Sequence, residues 1–577
     1  MSPNARAASW GLALTALVAG TLPPLLAYNL PPSPTLLNQC LAVALWGGFV
    51  FMLRPGGLAL RGWSLQAAIA VMAAAVVLSG TAGALPSALT LSALSLLIAA
   101  AVLAWAGADA ARRGDAPQVF GLFAAGLVLA GFLSSLVALI QVFMPEWTDG
   151  NVIAHSGLVG RAVGNLRQSN HLCSLLLWAV VATVTLLELR WLPRGIAIAL
   201  VLLMVFAIEL SASRTGAVGL LLLALWGGLD RRLSRSARWL LLATPLVYAL
   251  SYGAMAAYGS WSHQAIGAEA RIAAGEASGI ESPNSRRNIW ANAVTMIAQQ
   301  PWTGVGFGEF NLAWSLTSFP GRPTAFFDHT HTLPLQLAVE LGVPLATLVM
   351  ALMAIALWQG FARSASARGD TGLAGRAGWM LVLLTGWHSL VEYPLWYAYF
   401  LLPAAFAWGF ALGVPAAAER VVPAQAPRSR FAPLAGMALV IGGALAVVDY
   451  MSVVVIYAPG ENAGPLEARI ARGQRSVLFA HHADYAAATS AEPLPGTPMA
   501  FRRAPHYLMD TRLMVAWARY LAENGQPDRA RVLAARLREF RNPDSAEFFS
   551  PCEIGDQAAF QCQAPLSPHP WREFLTY

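Results

Sequence analysis

The chain has 577 residues, of which 57% are hydrophobic and only 12% charged, with a mean hydropathy of +0.54. Soluble domains carry about 25% charged residues, so this composition excludes a water-soluble globular protein and calls for lipid as solvent. The formal charge of +7 comes entirely from arginine, since the sequence holds no lysine, and it sits in short breaks between apolar runs. That placement orients a membrane protein and does not suggest a nucleic-acid surface.

Runs of roughly 20 apolar residues match the length of a membrane-crossing helix. Alternating strand patterns are absent, which argues against a β-barrel. About 13 spans are expected on this length criterion, near residues 10–29, 35–53, 64–84, 87–108, 118–144, 169–187, 194–211, 213–229, 239–258, 331–361, 375–390, 395–414 and 432–457. The first run follows Arg6 without a small-residue cleavage site and reads as a retained helix.

Alternate loops are rich in arginine: Arg54/Arg61, Arg112/Arg113, Arg190/Arg194, Arg231 to Arg238, Arg363 to Arg376 and Arg420 to Arg430. The positive-inside rule makes these cytoplasmic. The N-terminus is then inside, and everything after about residue 458 is periplasmic. The stretch 259–330 becomes a long periplasmic loop, well beyond an ordinary connection and therefore a functional candidate. The expected organisation is a transmembrane domain over 1–457 and a helical periplasmic domain over 458–577. Within the latter, Thr511–Phe540 reads as two amphipathic helices broken at Asn524-Gly525-Gln526-Pro527, a tetratricopeptide-like hairpin. One such unit cannot bury its apolar face alone and should pack on neighbours. Cys552 and Cys562 lie close together in this tail and are expected to pair if it is periplasmic. No Cys/His spacing resembles a metal site, so neither metal nor cofactor is expected.

Polar residues gather at the predicted periplasmic edges. Asp328 to Gly342 (DHTHTLPLQLAVELG) places His329 and His331 where the long loop enters a membrane helix, with Glu340 farther along it. An ionisable residue at membrane depth is a functional candidate. Gly160 to His171 (GRAVGNLRQSNH) brings Arg161, Gln168, Asn170 and His171 to the mouth of the sixth span. Amides there can bond sugar hydroxyls, and arginine can pair with phosphate. Ser213-Arg214-Thr215-Gly216 puts Arg214 on the same side, where a positive-inside anchor is not expected. Arg286 and Arg287 open a helix, combining fixed charge with helix N-terminal amides. Gly304-Val305-Gly306-Phe307-Gly308 follows no strand and reads as a turn, not a nucleotide fingerprint. His388, Glu392 and Tyr393 mark a third edge.

Taken in order, GNLRQSNHL at 164–172, SRTG at 213–216, RRNIWANAV and PWTGVGFGEF between 286 and 310, HTLPLQLAVELG at 331–342 and EYPLWYAYFLLP at 392–403 resemble the O-antigen ligase/polymerase superfamily. The first and last favour its protein O-oligosaccharyltransferase (PglL-type) branch. The family pattern has His-Asn where this chain has His331-Thr332, and the spacing to Glu340 favours His331 over His329 as the central histidine. The resemblance implies an all-α polytopic fold of the GT-C-like ligase type. It also implies an undecaprenyl-pyrophosphate-linked oligosaccharide donor and a periplasmic or pilin protein acceptor at the inner membrane. In that reading Arg214 and Arg287 bind the pyrophosphate, helped by Arg286 or Arg161. His331 is the base or acceptor-orienting group, and Gln168, Asn170, His171 and Tyr393 shape the sugar or acceptor site, with His329, Glu340 and Glu392 beside them. A lipopolysaccharide O-antigen ligase and an O-antigen polymerase are the alternatives within the family, and a lipid-linked glycan flippase is the alternative of another class.

Overall fold

The computed structural model describes residues 3–56, 62–277, 285–416, 419, 422–423, 429, 431–490, 494 and 496–575, the side chains of 3–8 and 275–277 excepted. Among these residues the chain is all helical. The N-terminal helices are α1 (Pro3–Leu25), α2 (Leu36–Leu53), α3 (Trp63–Thr81), α4 (Ser87–Ala110) and α5 (Ala116–Phe143). They are followed by α6 (Ser169–Glu188), α7 (Arg194–Leu210), α8 (Arg214–Leu229), α9 (Arg235–Leu242) and α10 (Thr244–Ser262). The long loop carries α11 (Ala268–Ala277), α12 (Arg286–Gln299) and α13 (Phe310–Leu316). Next come α14 (Leu333–Ser366), α15 (Gly369–Ser389), α16 (Ala398–Gly413) and α17 (Phe431–Tyr457). The tail holds α18 (Leu466–Gly473), α19 (Ala480–Ala488), α20 (Thr497–Arg503), α21 (Thr511–Glu523), α22 (Pro527–Phe540) and α23 (Ala546–Glu553).

Every expected span meets a helix. By length and composition, eight helices among the described residues are able to cross a membrane: α2 to α6, α9 with α10 as one segment, α14 and α17. The sequence-derived figure of 13 goes beyond those eight, because several of the remaining apolar helices are short. The protein is therefore a multi-pass membrane protein. Its chain divides into two compact units that do not follow chain order. The first comprises 1–69, 98–280 and 352–447, and the second 70–97, 281–351 and 448–577.

In the first unit α6 is the central helix, buried over nearly its whole length. Gln168 caps it by accepting from the His171 amide at 2.8 Å, and Trp178 donates to the Leu381 carbonyl of α15 at 3.1 Å. Trp46, Phe49, Phe123 and Phe406 form an aromatic cluster with centroids 5.1–6.3 Å apart. Where α4 crosses α16, a Cβ on Gly409 would lie 1.9 Å from the Ala104 carbonyl oxygen and one on Gly413 2.1 Å from that of Ala108. Glycine is required for backbones to approach this closely, a common device between membrane helices. By contrast α10 exposes Leu246, Leu250 and Trp261, as a lipid-facing helix must.

In the second unit the tail does not form a core of its own. Phe310, Trp314 and Val339 share one apolar cluster with Leu513, Trp517, Leu533 and Phe540. Arg322 is 2% exposed; it donates to the Trp314 carbonyl at 3.0 Å and to Glu539 at 3.1 Å. Its guanidinium also lies over the rings of Trp314, Phe319 and Phe540 at 4.4–5.1 Å. Burial pushes this arginine down to about 10, with Glu539 acting against that. A second buried pair joins His506 Nδ1 to Glu309 at 2.7 Å. The hairpin α21–α22 thus closes its apolar face on the loop segment 305–339, and Cys552 and Cys562 are paired.

Helix α14 is not continuous. Gly342 is non-helical with φ 75° and ψ 161°, two residues after Glu340. The 301–308 turn supplies the backbone partners that the break requires: Val305 N donates to Val339 O at 2.9 Å, Gly306 N to Glu340 O at 3.0 Å, and Val343 N to Pro301 O at 2.7 Å. Broken helices at membrane depth are tolerated where other backbone satisfies the freed groups in this way. A Cβ on Gly304 (φ +64°) would lie 2.5 Å from the Glu340 backbone, which explains the glycine there.

Candidate active site

Each unit carries its own cluster of the predicted residues. In the second unit the cluster begins at the end of the long loop. His329 Nδ1 is hydrogen-bonded to Asp328 Oδ1, and His329 Nε2 lies 3.0 Å from His331 Nδ1. Desolvation acts against ionisation of Asp328, but the hydrogen bond from His329 leads the opposing effects, and the carboxyl is held below its usual range. A carboxylate at Asp328 accepts the Nδ1 proton of His329. With that proton on Nδ1, His329 Nε2 can accept from His331 Nδ1–H, which leaves the His331 lone pair on Nε2. The relay is thus able to hold the tautomer that a base needs.

The local backbone holds this geometry. His331 adopts φ +57°, a left-handed conformation uncommon for a residue with a side chain. Thr330 Oγ1 donates to the Thr332 carbonyl at 2.9 Å, and Thr330 N donates to Gln336 Oε1 at 2.8 Å. The Trp290 indole of α12 donates to the Thr330 carbonyl at 2.9 Å. Gln336 Nε2 then reaches Glu340 Oε1 at 3.0 Å, one turn along α14. Glu340 is 6% exposed and sits at the end of the first helical segment, not deep in a continuous helix. At the start of α12, Arg286 is half-buried and Arg287 exposed. No hydrogen bond or ion pair engages Arg287 among the described residues.

In the first unit three motifs that are far apart in sequence meet. Ser213 caps α8 by accepting from Gly216 N at 3.2 Å and donates to Asn170 Oδ1 at 2.7 Å. Asn170 Nδ2 reaches Glu392 Oε1 at 3.4 Å. Arg214 follows the cap as the first residue of α8; it is exposed and engaged by no hydrogen bond or ion pair among the described residues. A bare guanidinium at a helix N-terminus is suited to an anion. Tyr393 is half-buried, with its hydroxyl 3.4 Å from that of Tyr397.

Three expectations change in detail. His171 is not at an open mouth: it is 2% exposed, neither ring nitrogen has a hydrogen-bond partner, and Tyr397 and Phe400 lie edge-on at 4.6 and 5.3 Å. Near the start of α6 its ring packs among aromatic side chains. Arg161 is occupied by structure, donating to the Ser211 carbonyl at 2.8 Å and to Ser169 Oγ at 2.6 Å. Burial, with nearby Arg271, lowers it below the usual arginine range. Gln168 uses its carbonyl as a helix cap. Sequence reasoning passed over Gln336, Trp290, Ser213 and Asp328; a polar Gln336 one turn before Glu340 in an apolar run was the available signal.

Three family models match along the chain. One described as "Protein glycosylation ligase" covers residues 162–187, one described as "O-Antigen ligase" covers 199–350, and one described as "Virulence factor membrane-bound polymerase, C-terminal" covers 376–548. A curated protein of Acinetobacter baylyi, named a general O-oligosaccharyltransferase, is 27% identical over 319 residues, which is 52% of this chain and 51% of that protein. The chain thus spans about half the length of the curated relative it matches. Its helices define a multi-pass membrane protein. The chain is therefore similar to O-antigen ligases over residues 199–350 and to protein glycosylation ligases over residues 162–187.

Proposed function

We propose that this protein is an O-oligosaccharyltransferase, moving a glycan from a lipid diphosphate to a Ser or Thr hydroxyl of a periplasmic protein. The donor is an undecaprenyl-pyrophosphate-linked oligosaccharide, the acceptors are periplasmic proteins including pilins, and the enzyme lies in the inner membrane with its chemistry on the periplasmic side. The observation that carries the reading is the Asp328–His329–His331 relay, placed at the mouth of a membrane helix.

The acceptor hydroxyl oxygen attacks the anomeric carbon, the bond from that carbon to the diphosphate oxygen breaks, and His331 Nε2 takes the hydroxyl proton. A base within hydrogen-bond reach lowers the barrier to that attack. The diphosphate leaves with its lipid and gains charge as it does so, which fixed cations stabilise. Arg214 and Arg287, both exposed and uncommitted, are the residues assigned to that charge, with Arg286 beside the latter. Ser213, Asn170 and Glu392 hold the start of α8 in place, and Arg161 ties Ser211 to Ser169; these are positioning residues.

Mass spectrometry of periplasmic proteins from cells with and without the gene tests this reading. Glycosylated Ser or Thr peptides present only with the gene support it. An unaltered periplasmic proteome together with a glycan ladder lost from lipid A-core refutes it in favour of lipopolysaccharide ligation, the second reading, which the match to the O-antigen ligase family favours.

A further inference from the structure

Five residues before His331, Phe326 forms one wall of a groove that lies wholly within the second unit. Its volume is about 760 Å3, inside the ~300–1,000 Å3 range of ligand-binding clefts. The floor is one face of α21, where Thr511, Val515, Arg519 and Ala516, Tyr520 recur at helical spacing. Small residues Ala487 and Ala488 of α19 keep the cleft open. Its aromatic walls are already packed: Phe501 stacks on Tyr520 at 4.7 Å and Phe326 on Phe540 at 3.9 Å.

The charge of this groove runs against that of the chain. A protein of formal charge +7 lines it with Asp510, Glu523, Asp544 and Glu547 against Arg512 and Arg519. Asp510 is occupied, capping α21 through Leu513 N at 2.8 Å and accepting from Tyr485 at 2.6 Å. Arg512 donates to the Thr489 carbonyl at 3.1 Å, and Arg519 lies over the Phe548 ring at 5.9 Å. Glu523, Asp544 and Glu547 are exposed and form no ion pair among the described residues. Three carboxylates left unpaired along one cleft attract a cationic partner and steer it in.

We infer that this groove docks an extended segment of the acceptor polypeptide that carries lysine or arginine, an inference that rests on the acceptor being a protein. A neutral glycan gains little from unpaired carboxylates, and an acidic one is repelled. Backbone amides of an extended segment can pair with the hydroxyls of Thr489 and Ser490 and the amide of Asn542 on the rims. Five residues of chain separate Phe326 from His331 and span at most about 18 Å. A segment seated in the groove therefore brings a hydroxyl some five residues farther on within range of that histidine.

The test uses the full chain purified in detergent and two short synthetic peptides, each with a single Ser in an Ala/Pro stretch flanked either by lysines or by glutamates. Binding is read by fluorescence polarisation. Wild type is expected to prefer the lysine peptide by about tenfold, and Glu523→Lys/Glu547→Lys to reverse that preference. Glu461→Lys/Glu467→Lys changes two other exposed acids of the same unit and should leave it intact. Thermal melting confirms that the variants fold. Equal affinity for both peptides, or the same loss in the control variant, overturns the groove. Transfer to protein with an unchanged peptide preference refutes the groove alone. Groove binding without transfer to any protein refutes the glycosyl-transfer reading and leaves the groove as a polypeptide site.

Discussion

His329 Nε2 and His331 Nδ1 lie 3.0 Å apart, with Asp328 on the far side of His329. The two rings are therefore unequal. His329 is held between a carboxylate and a second imidazole, whereas His331 joins the relay through Nδ1. His331→Ala is expected to lower transfer by more than about 100-fold, the scale of a lost general base. Asp328→Asn should cost less, roughly tenfold, because it unfixes the tautomer without removing the base. Single-turnover transfer rates of the two variants check the order; a larger loss at Asp328 would reverse the assignment.

Arg214 and Arg287 are exposed and bound to nothing described, so their removal should be silent in folding and costly in rate. Arg214→Ala and Arg287→Ala are each predicted to lose about 100- to 1,000-fold in kcat with unchanged melting temperature. Replacement by lysine should restore part of the rate, since the charge remains while the two-pronged donor is lost. Either alanine variant with full transfer removes that arginine from the diphosphate.

Gln336 joins the backbone of Thr330 to Glu340. Gln336→Leu leaves one buried donor and one buried acceptor unpaired and is expected to destabilise by about 1–3 kcal/mol, with a fall in activity because the His331 segment is released. Gln336→Glu, which keeps the acceptor for Thr330 N but sets a second carboxyl beside Glu340, should rescue little. Thermal melts in detergent and transfer rates together separate the two effects.

The tail carries a pH dependence of its own. Burial lowers His482 to about 4, and burial with the neighbouring His482 lowers His481 well below its usual value. Both folded-state values lie below the unfolded ones, so their contribution is complete above about pH 6.5 and is lost as pH falls toward 4. Burial raises Asp484 to about 6; its contribution has the opposite sign, present below about pH 4 and lost as pH rises through 6. The histidines outnumber it, so melting temperature should fall between pH 7 and pH 5. His482→Gln should flatten that fall, by on the order of 2–3 kcal/mol; an unchanged slope would contradict the account.

Much of this was legible in the sequence because lipid imposes a simple code. Length and apolarity mark the helices, and arginines mark the loops between them. The turn at Gly304 to Gly308 was equally readable, since no strand precedes it. Pairings across long separations were not: Ser213 meets Asn170 over 43 positions, and Asn170 meets Glu392 over 222. Nor could the sequence tell that His171 turns inward while Asn170, one residue earlier, bonds Glu392. Residue type gives the chemistry available, and the helix rotation that selects it comes from packing. Gly342 and Pro344 did signal a break in α14, but an apolar run read by length alone conceals it.

The most direct measurement is transfer in vitro, mixing the purified chain, wild type or His331→Ala, with undecaprenyl-pyrophosphate-linked oligosaccharide and with a pilin or lipid A-core as acceptor. Glycan is expected on the pilin with wild type, none with the variant, and none on lipid A-core. Glycan on lipid A-core alone, or transfer that survives loss of His331, would contradict it.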